Sequence, residues 1–211
     1  MFFSVTTRTT VSLKCHHVVS EKLGSNKLFL WYKMIKFILI FFALFSISKP
    51  LIAKAPPVIL VDGKDFYEIG LNLDILEDPT GKLTIDDVNS PKWASRFKRS
   101  KDKVPSFGFS KSAFWARVKI KNKTSDQRIW VLSQNYNRQN YVTLYKKVNE
   151  SWESFSTGDL TPFKTREILG KEFSFKIKPK ENSLYFVRIK GSISKLHLTI
   201  SSPQSLMQKK T

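Results

Sequence analysis

The sequence is short of the residues on which covalent cross-links and most catalytic chemistry depend. It contains a single cysteine, Cys15, so an intramolecular disulfide framework is excluded. Of its three histidines, only His197 lies beyond residue 55, where it alternates with two leucines. That alternation is typical of a strand and predicts a solvent-facing side chain rather than a metal ligand or an acid–base group.

Long apolar runs are also absent, since the longest uninterrupted one, Phe37–Ser48, is too short to cross a bilayer. A spanning helix needs about 20 apolar residues, whereas the apolar core of a signal peptide needs about 7 to 15. Lys36 precedes the run, and Ala-Lys-Ala55 follows it with small residues that suit a signal peptidase. We therefore predict a signal peptide at residues 34–55, with an uncleaved inner-membrane anchor through residues 34–53 as the alternative. Residues 1–33 are interpreted as an upstream extension or a misassigned start, and the protein as exported, periplasmic or otherwise extracytoplasmic.

Acidic residues are few, with 17 Asp plus Glu against 36 Lys plus Arg, so the formal net charge is +19. Such an excess is typical of proteins that bind nucleic acid or an anionic membrane surface. The densest basic run lies between Arg96 and Lys103 and has aromatic neighbours. Because an exported protein rarely meets nucleic acid, we predict no nucleic-acid partner and interpret the run as a solvated loop or one that contacts anionic lipid head groups.

Helical periodicity is nearly absent beyond Pro57, which excludes a parallel α/β sheet. The apolar spacing instead has a period of two, as in Ala113–Lys121, where Phe114 and Ala116 alternate with Trp115 and Arg117. A fold of the all-β class is predicted: an antiparallel β-sandwich of the jelly-roll type, with one long ordered loop at Ser90–Ser112 and a short helix capped by Thr84. The predicted strands are Tyr67–Ile75, Ala113–Lys121, Ile129–Ser133, Tyr141–Lys147, Trp152–Phe155, Glu172–Lys178, Leu184–Lys190 and Leu196–Ser201. Residues 56–66 are predicted to be a linker or first segment, 67–203 the domain, and 204–211 a polar tail.

No group of residues arranged for catalysis is evident after the predicted signal peptide. The sequence offers no nucleophile beside a base, no carboxylate pair at a useful spacing and no cluster of metal ligands. Neighbouring acids such as Asp86 and Asp87 point in different directions on a strand or helix. We therefore predict a protein that is not an enzyme and that needs no cofactor and no metal.

Four side chains are the predicted ligand contacts. Trp115 and Arg117 share one strand face, and Tyr141 and Tyr145 share a face of another strand. If the two strands are neighbours with both rows facing outward, aromatic rings and a guanidinium line one open surface, which suits a carbohydrate-like or other small ligand. The alternative is that these rows are packed, with Trp115 or Tyr145 beneath the long loop.

The order of several segments resembles the second type of extracellular domain of the bacterial 7TMR-DISM receptors, seven-transmembrane receptors with diverse intracellular signalling modules. The resemblance covers about residues 67–203 and depends on an ordered set of motifs. These motifs are Ile75-Leu-Glu-Asp78, Gly81-Lys-Leu-Thr-Ile-Asp-Asp-Val88, Phe114-Trp-Ala-Arg-Val-Lys-Ile-Lys-Asn122, Trp130-Val-Leu132, Tyr141-Val-Thr-Leu-Tyr145, Trp152, Thr157-Gly-Asp-Leu-Thr-Pro-Phe163, Arg166, Phe173-Ser-Phe-Lys-Ile177 and Leu184-Tyr-Phe-Val-Arg-Ile-Lys-Gly191.

The resemblance implies a jelly-roll sandwich similar to carbohydrate-binding modules, displayed outside the cytoplasmic membrane as a sensor domain without catalysis. By position, Trp115 and Arg117 fall on the family's W-x-R strand. A second motif, expected to be structural, comprises Gly158 in a turn, Asp159 paired with Arg166, and Phe163.

Members of this family continue into seven membrane helices and a cytoplasmic signalling domain, whereas this sequence ends at Gln208-Lys-Lys-Thr211. Two interpretations follow, a truncated receptor and a stand-alone binder. The expected function is ligand binding by a sensor domain, with a membrane or receptor as a further partner. The alternative is an exported module that docks a protein or the envelope surface.

Overall fold

The computed structural model describes residues 29–39, 41, 54–126 and 128–208. The chain divides into two units, Met1–Leu51 and Ile52–Thr211. In the first unit, residues 29–39 and 41 are helical. Among the described residues, no helix has both the length and the apolar character needed to cross a bilayer. Most of the predicted signal peptide, Cys15 in the predicted upstream extension and the last residues of the polar tail lie outside the described residues, so these assignments stay predictions.

The described part of the second unit contains thirteen strands and three short helices. The strands are β1 (Val58–Leu60), β2 (Phe66–Glu68), β3 (Leu73–Asp78), β4 (Lys98–Arg99), β5 (Ser106–Phe109), β6 (Ala113–Asn122), β7 (Trp130–Gln134), β8 (Tyr141–Val148), β9 (Ser151–Thr157), β10 (Phe173–Ile177), β11 (Ser183–Lys190), β12 (Ile193–Lys195) and β13 (Leu198–Ser201). The helices are α1 (Ile85–Asn89), α2 (Pro91–Ala94) and α3 (Pro203–Gln208), with 3-10 turns at Gly70–Asn72 and Phe163–Thr165.

The strands form two main sheets and a ribbon. The larger sheet has the order β4-β3-β6-β11-β8-β9, with β1 added in parallel at the end of β6. The smaller sheet has the order β10-β7-β13-β2, and β5 pairs with β12 in the ribbon. All described pairings except that of β1 are antiparallel. The predicted antiparallel, all-β sandwich is therefore confirmed.

The main core lies between the two sheets, as the period-two pattern predicts. Phe114, Ala116, Val118 and Ile120 of β6 all belong to this core. The smaller sheet contributes alternate residues to the same core, among them Trp130, Leu132, Phe173 and Phe175. Burying large apolar side chains contributes about 1.5–3 kcal/mol each, so this layer is the main source of stability.

A second apolar cluster covers the opposite face of the larger sheet. Trp115 and Phe186 project there from β6 and β11, and Val88 and Phe97 pack onto them from the segment that contains α1 and α2. The predicted helix is confirmed as α1, because Thr84 and Asp87 form a reciprocal capping box. Around Trp115 this face is packed, which is the alternative stated from the sequence, because the segment that contains α1 and α2 shields the ring from solvent.

Two other local predictions differ from the structure. The predicted strand Tyr67–Ile75 is divided into β2 and β3 by the 3-10 turn Gly70–Asn72, which moves the chain from the smaller to the larger sheet. The predicted loop Ser90–Ser112 contains α2, β4 and β5 rather than irregular chain alone. Of its aromatic residues, Phe97 is buried as expected, whereas Phe109 is 85% exposed at the tip of the ribbon.

Candidate functional site

The four predicted ligand contacts lie on one face of the larger sheet but not on neighbouring strands. Strand β11 separates β6 from β8, so Phe186 stands in register between Arg117 and Tyr145. Tyr141 is 44% exposed near the start of β8, whereas Trp115 has no solvent-exposed surface. The four side chains therefore share one face, but the condition that their strands are neighbours is not met.

Trp115 is a central residue of the second cluster. Its ring is stacked on Tyr145 with 5.3 Å between centroids, and the Arg188 guanidinium lies 5.7 Å from its ring centroid. Burial raises the pKa of the Tyr145 hydroxyl, with an opposing effect from the charge of Arg188. Direct ligand contact by Trp115 stays a prediction, and in this conformation it would require displacement of the α1–α2 segment.

Arg117 anchors the segment that follows α2 to the sheet. Its Nη2 lies 3.0 Å from Oδ2 of Asp74, and its Nη1 donates to the carbonyl of Ala94 at 3.4 Å. The guanidinium carbon is also 4.4 Å from the ring centroid of Phe97. These contacts engage the guanidinium within the protein, so a direct role of Arg117 in ligand binding also stays a prediction.

The second predicted motif surrounds the loop between β9 and β10. A Cβ at Gly158 would lie 2.1 Å from the carbonyl oxygen of Asn140, so only glycine allows the two backbones this close approach. The Arg166 guanidinium donates to the carbonyl of Gly170 and lies 4.8 Å from the ring centroid of Phe163. Asp159 instead contributes its backbone N–H to the carbonyl of Gln139. Within the described residues no ion pair joins Asp159 to Arg166, so that expected pairing is wrong.

A groove of about 780 Å³ lies where β3, β4 and β5 meet the residues after α2. Its apolar lining comes from Ile75, Leu76, Phe107 and Phe114, together with Trp93 at one side. Four cationic residues also line it: Arg96, Lys98, Arg99 and Lys101. A concave surface with an apolar lining and a few charged groups is the usual form of a small-ligand site.

The apolar lining of the groove is held by aromatic packing. The Phe107 ring is stacked on Phe114 with 3.9 Å between centroids and 10° between planes. Phe114 is buried in the main core, so the wall formed by Phe107 is fixed to the sandwich. On the other side, the Arg96 guanidinium lies 4.5 Å from the ring centroid of Trp93. Such cation–π contacts stabilise by about 0.5–1 kcal/mol at exposed sites.

The basic run Arg96–Lys103 and its aromatic neighbours are visible in the sequence, where the run is predicted to be a solvated loop or one that contacts anionic lipid head groups. The missing information was tertiary, since β4 pairs with β3 through only two residue pairs. Those pairs, Asp74 with Arg99 and Ile75 with Lys98, place the run along the edge of the larger sheet. The interleaving of cations with Trp93 and Phe107 is the sequence signal that points to this groove.

Two acidic residues near this site, Glu77 and Asp78, have hydrogen-bond partners within the protein. Asp78 is buried, and its carboxylate accepts hydrogen bonds from the backbone N–H groups of Thr80, Gly81 and Leu83 and from the Thr80 hydroxyl. Among the described residues, no group of three or more His, Cys, Asp or Glu side chains is placed to hold a metal ion. The arrangement offers binding groups, namely cations above an apolar surface.

Comparison with known proteins gives one family. The model of the family described as 7TMR-DISM extracellular 2 matches residues 70–202, which confirms the resemblance stated from the sequence motifs. The matched range begins at the 3-10 turn before β3 and includes every residue that lines the groove. No curated protein matches the chain.

Proposed function

This chain belongs to the family of 7TMR-DISM extracellular 2 domains, and from that membership we propose that it is an extracytoplasmic sensor domain that binds a small, carbohydrate-like ligand in the groove beside β3 and β4. The family supports the coarser part of this function, an extracellular sensor domain of a receptor. The ligand class and the location of its site are our proposal. The domain acts by binding rather than by catalysis, and its output passes to a receptor or membrane partner.

The groove is the single observation that carries the proposal. It combines a volume of about 780 Å³ with aromatic and aliphatic walls and a polar rim. Sugars offer an apolar C–H face to aromatic rings and hydroxyl groups to surrounding donors and acceptors. Because the Phe107 ring is stacked on Phe114, which is buried in the main core, this wall is formed before the ligand arrives, which lowers the entropic cost of binding.

The four residues predicted from the sequence take a supporting part in this proposal. Trp115 and Tyr145 form the layer on which Phe97 and the α1–α2 segment rest, and Arg117 connects that segment to β3. Tyr141 is the most exposed of the four. A ligand that extended beyond the groove onto this face would contact these residues, as the sequence predicts.

The test is a binding screen with the purified full-length chain. Saturable binding is measured by calorimetry and by thermal shift against a panel of neutral and acidic oligosaccharides. A ligand at about 100 times its Kd stabilises the folded state by about 2.7 kcal/mol, so binding raises Tm. Phe107→Ala is expected to weaken binding, whereas Phe163→Ala, an exposed phenylalanine elsewhere, is expected to leave it unchanged. The proposal fails if no member of the panel binds saturably.

A second candidate function is an interaction module that docks a protein or the envelope surface. The observation that favours it is a set of exposed apolar side chains at the end of β5 and in the segment between β9 and β10: Phe109, Leu160 and Phe163. The two regions are connected by Gln139, which donates to the carbonyl of Ile193 opposite Phe109, and by Asn140, whose carbonyl accepts from the N–H of Leu160. This function predicts association that is lost in Phe109→Ser and Leu160→Ser variants, without a thermal shift by any small ligand.

A further inference from the structure

We infer that the groove selects an acidic sugar, in which a carboxylate or phosphate group meets the basic rim while the sugar ring packs on the apolar wall. This inference rests on the proposed function and adds the charge of the ligand to it. Neither the match to the family nor the sequence motifs specify that charge. It follows from how the groove is lined and from which of its charges already have partners.

Cationic residues outnumber acidic residues in the lining of the groove. Arg96, Lys98, Arg99 and Lys101 line it, against two acidic residues, Glu77 and Asp102. All six residues are exposed to solvent, and Lys98 and Arg99, which are adjacent on β4, lie on opposite sides of that edge strand. Glu77 also accepts a hydrogen bond from the Ser112 hydroxyl at 2.7 Å, which directs one of its oxygens toward β6. The open side of the groove therefore favours an anion.

The basic side chains keep their charges available to a ligand. In the described part of the chain, no carboxylate lies within 4.0 Å of the charged nitrogens of Arg96, Lys98, Arg99 or Lys101. Asp74 is in register with Arg99 across the β3–β4 pair, but its carboxylate is occupied by Arg117 and by the backbone N–H of Ala55. The pairing thus places Arg99 at the groove without neutralising it.

The cations are also held in position. Lys98 and Arg99 are on β4, whose pairing with β3 fixes their backbone. They are flanked by Phe97, buried in the second cluster, and by buried Ser100, whose N–H donates to the carbonyl of Leu73 at 2.8 Å. Arg96 is held over the ring of Trp93. A guanidinium held like that of Arg96 binds carboxylate or phosphate bidentately at little entropic cost, which favours ligands with a planar or compact anionic group.

The apolar wall explains why a free inorganic anion is not the expected occupant. The lining of the groove, which includes Ile75, Leu76, Phe107 and Phe114, is more apolar than polar, and a bare anion would leave this surface wetted. A uronic acid or sugar phosphate presents an apolar ring face and an anionic group together. The neutral form of the same sugar would fill the apolar part and leave the cations without a partner.

The experiment compares matched acidic and neutral sugars on the purified full-length chain by calorimetry. Trigalacturonic acid is compared with its methyl ester, and glucose 6-phosphate with glucose, so that carboxylate and phosphate sources are distinguished. We expect the acidic member of at least one pair to bind about tenfold or more tightly than its neutral partner, since charge-assisted hydrogen bonds are the stronger ones. Its affinity should also fall when the salt concentration is raised from about 0.02 M to about 0.5 M.

Variants locate the effect in the groove. The double variant Arg96→Gln and Arg99→Gln is expected to weaken binding of the acidic sugar by about tenfold or more, whereas Lys171→Gln with Lys176→Gln, which removes the same charge near the smaller sheet, leaves it unchanged. Circular dichroism of each variant checks folding, and Arg99→Lys retains the charge if the glutamine variant fails to fold.

Equal affinity for acidic and neutral sugars overturns the inference and leaves the proposed function standing. Equal losses in the two double variants also overturn the inference, because the effect would then be one of net charge. The absence of binding to any sugar overturns both.

Discussion

Arg117 and Asp74 form a salt bridge on the covered face of the larger sheet, with 3.0 Å between Nη2 and Oδ2. The side chains are only 10% and 7% exposed. Oδ1 of Asp74 accepts a hydrogen bond from the backbone N–H of Ala55 at 2.8 Å, and Arg117 contacts the carbonyl of Ala94. One pair thus connects β3 and β6 to the chain before β1 and to the last residue of α2.

Replacing Asp74 by alanine is expected to destabilise the domain by about 3–5 kcal/mol, because it leaves a buried guanidinium without a counter-charge. The free energy of unfolding is measured by urea denaturation at neutral pH. Asp65→Ala is the matched control, since Asp65 pairs with Arg128 on the surface and is 51% exposed. Loss of a surface pair costs about 0.2–1 kcal/mol.

Substituting both members, Asp74→Leu with Arg117→Met, is expected to recover most of the stability lost in Asp74→Ala. Buried ion pairs are often replaceable by apolar side chains of similar volume, whereas a single unpaired charge is not tolerated. If Asp74→Ala costs no more than Asp65→Ala, the guanidinium of Arg117 reaches water and the pair does not anchor the segment.

The fold was predictable where the alternation of side chains decides the structure. On β6, Phe114, Ala116, Val118 and Ile120 point to the main core as the pattern indicates, and the Thr84–Asp87 capping box defines α1. The division of Tyr67–Ile75 into two strands was not predictable, because Gly70–Asn72 changes direction without breaking the apolar pattern. The short β4 and β5 are set by tertiary pairing rather than by their own composition.

The candidate site was less predictable than the fold for a related reason. An apolar pattern with a period of two predicts that Trp115 and Arg117 share a face of the strand. It does not predict whether a distant segment covers that face. Here Val88 and Phe97 cover Trp115, which a pattern local to β6 does not report. The groove depends on bringing together residues as far apart as Ile75, Arg99 and Phe107. Only the basic and aromatic composition of one of these segments was visible in the sequence.

Trp115→Ala is expected to cost about 3–5 kcal/mol of unfolding free energy, the usual loss for a large buried aromatic side chain. Trp152→Ala is the comparison, because Trp152 packs at the edge of the same cluster and is only partly buried. It is expected to cost distinctly less. Chemical denaturation followed by tryptophan fluorescence measures both variants.

The result for Trp115→Ala also bears on its predicted role in ligand contact. A loss below about 1 kcal/mol would mean that the side chain is not buried in solution. The predicted direct contact would then gain support, and the placement of the α1–α2 segment over it would be contradicted.

Gly158→Ala is expected to destabilise the domain by about 1–3 kcal/mol, because it forces an atom into a packed site at a backbone φ of +154° that L residues rarely adopt. The new Cβ would lie 2.1 Å from the carbonyl oxygen of Asn140 and 2.8 Å from Cα of Tyr141, and backbone cannot yield as a flexible side chain does. Gly108→Ala is the matched control, because Gly108 has φ of +64° and no atom within 4 Å of the added Cβ.

For Gly108 only the left-handed backbone opposes alanine, at a cost of roughly 1–2 kcal/mol. The distinguishing measurement is structural as well as thermodynamic. Gly158→Ala should shift the amide resonances of Asn140 and Tyr141, whereas Gly108→Ala should leave them in place. Unshifted resonances in Gly158→Ala would contradict the close approach of these two backbones.

Burial of Tyr185 makes the free energy of unfolding depend on pH, and it also sets the sign of that dependence. Its ring lies in the main core, and desolvation of the phenolate raises its pKa from the ordinary value of 10.0 to about 12, with a smaller opposing effect from a hydrogen bond with Ser183. The folded state therefore holds this proton more tightly than the unfolded state. The contribution to stability is fully present below pH 10.0 and is lost as the pH rises from there through about 12.

Tyr185→Phe removes this titration while keeping the ring in the core, so its unfolding free energy should fall less than that of the unaltered chain between pH 9 and pH 11.5, the range that spans most of the interval from about 10 to about 12. Tyr141→Phe is the control, because Tyr141 lies outside the main core and is 44% exposed. The two variants differ only in which tyrosine hydroxyl is removed, so the difference between their profiles isolates the buried hydroxyl. Identical alkaline profiles for Tyr185→Phe and Tyr141→Phe would show that the Tyr185 hydroxyl ionises in the folded state as readily as in the unfolded chain.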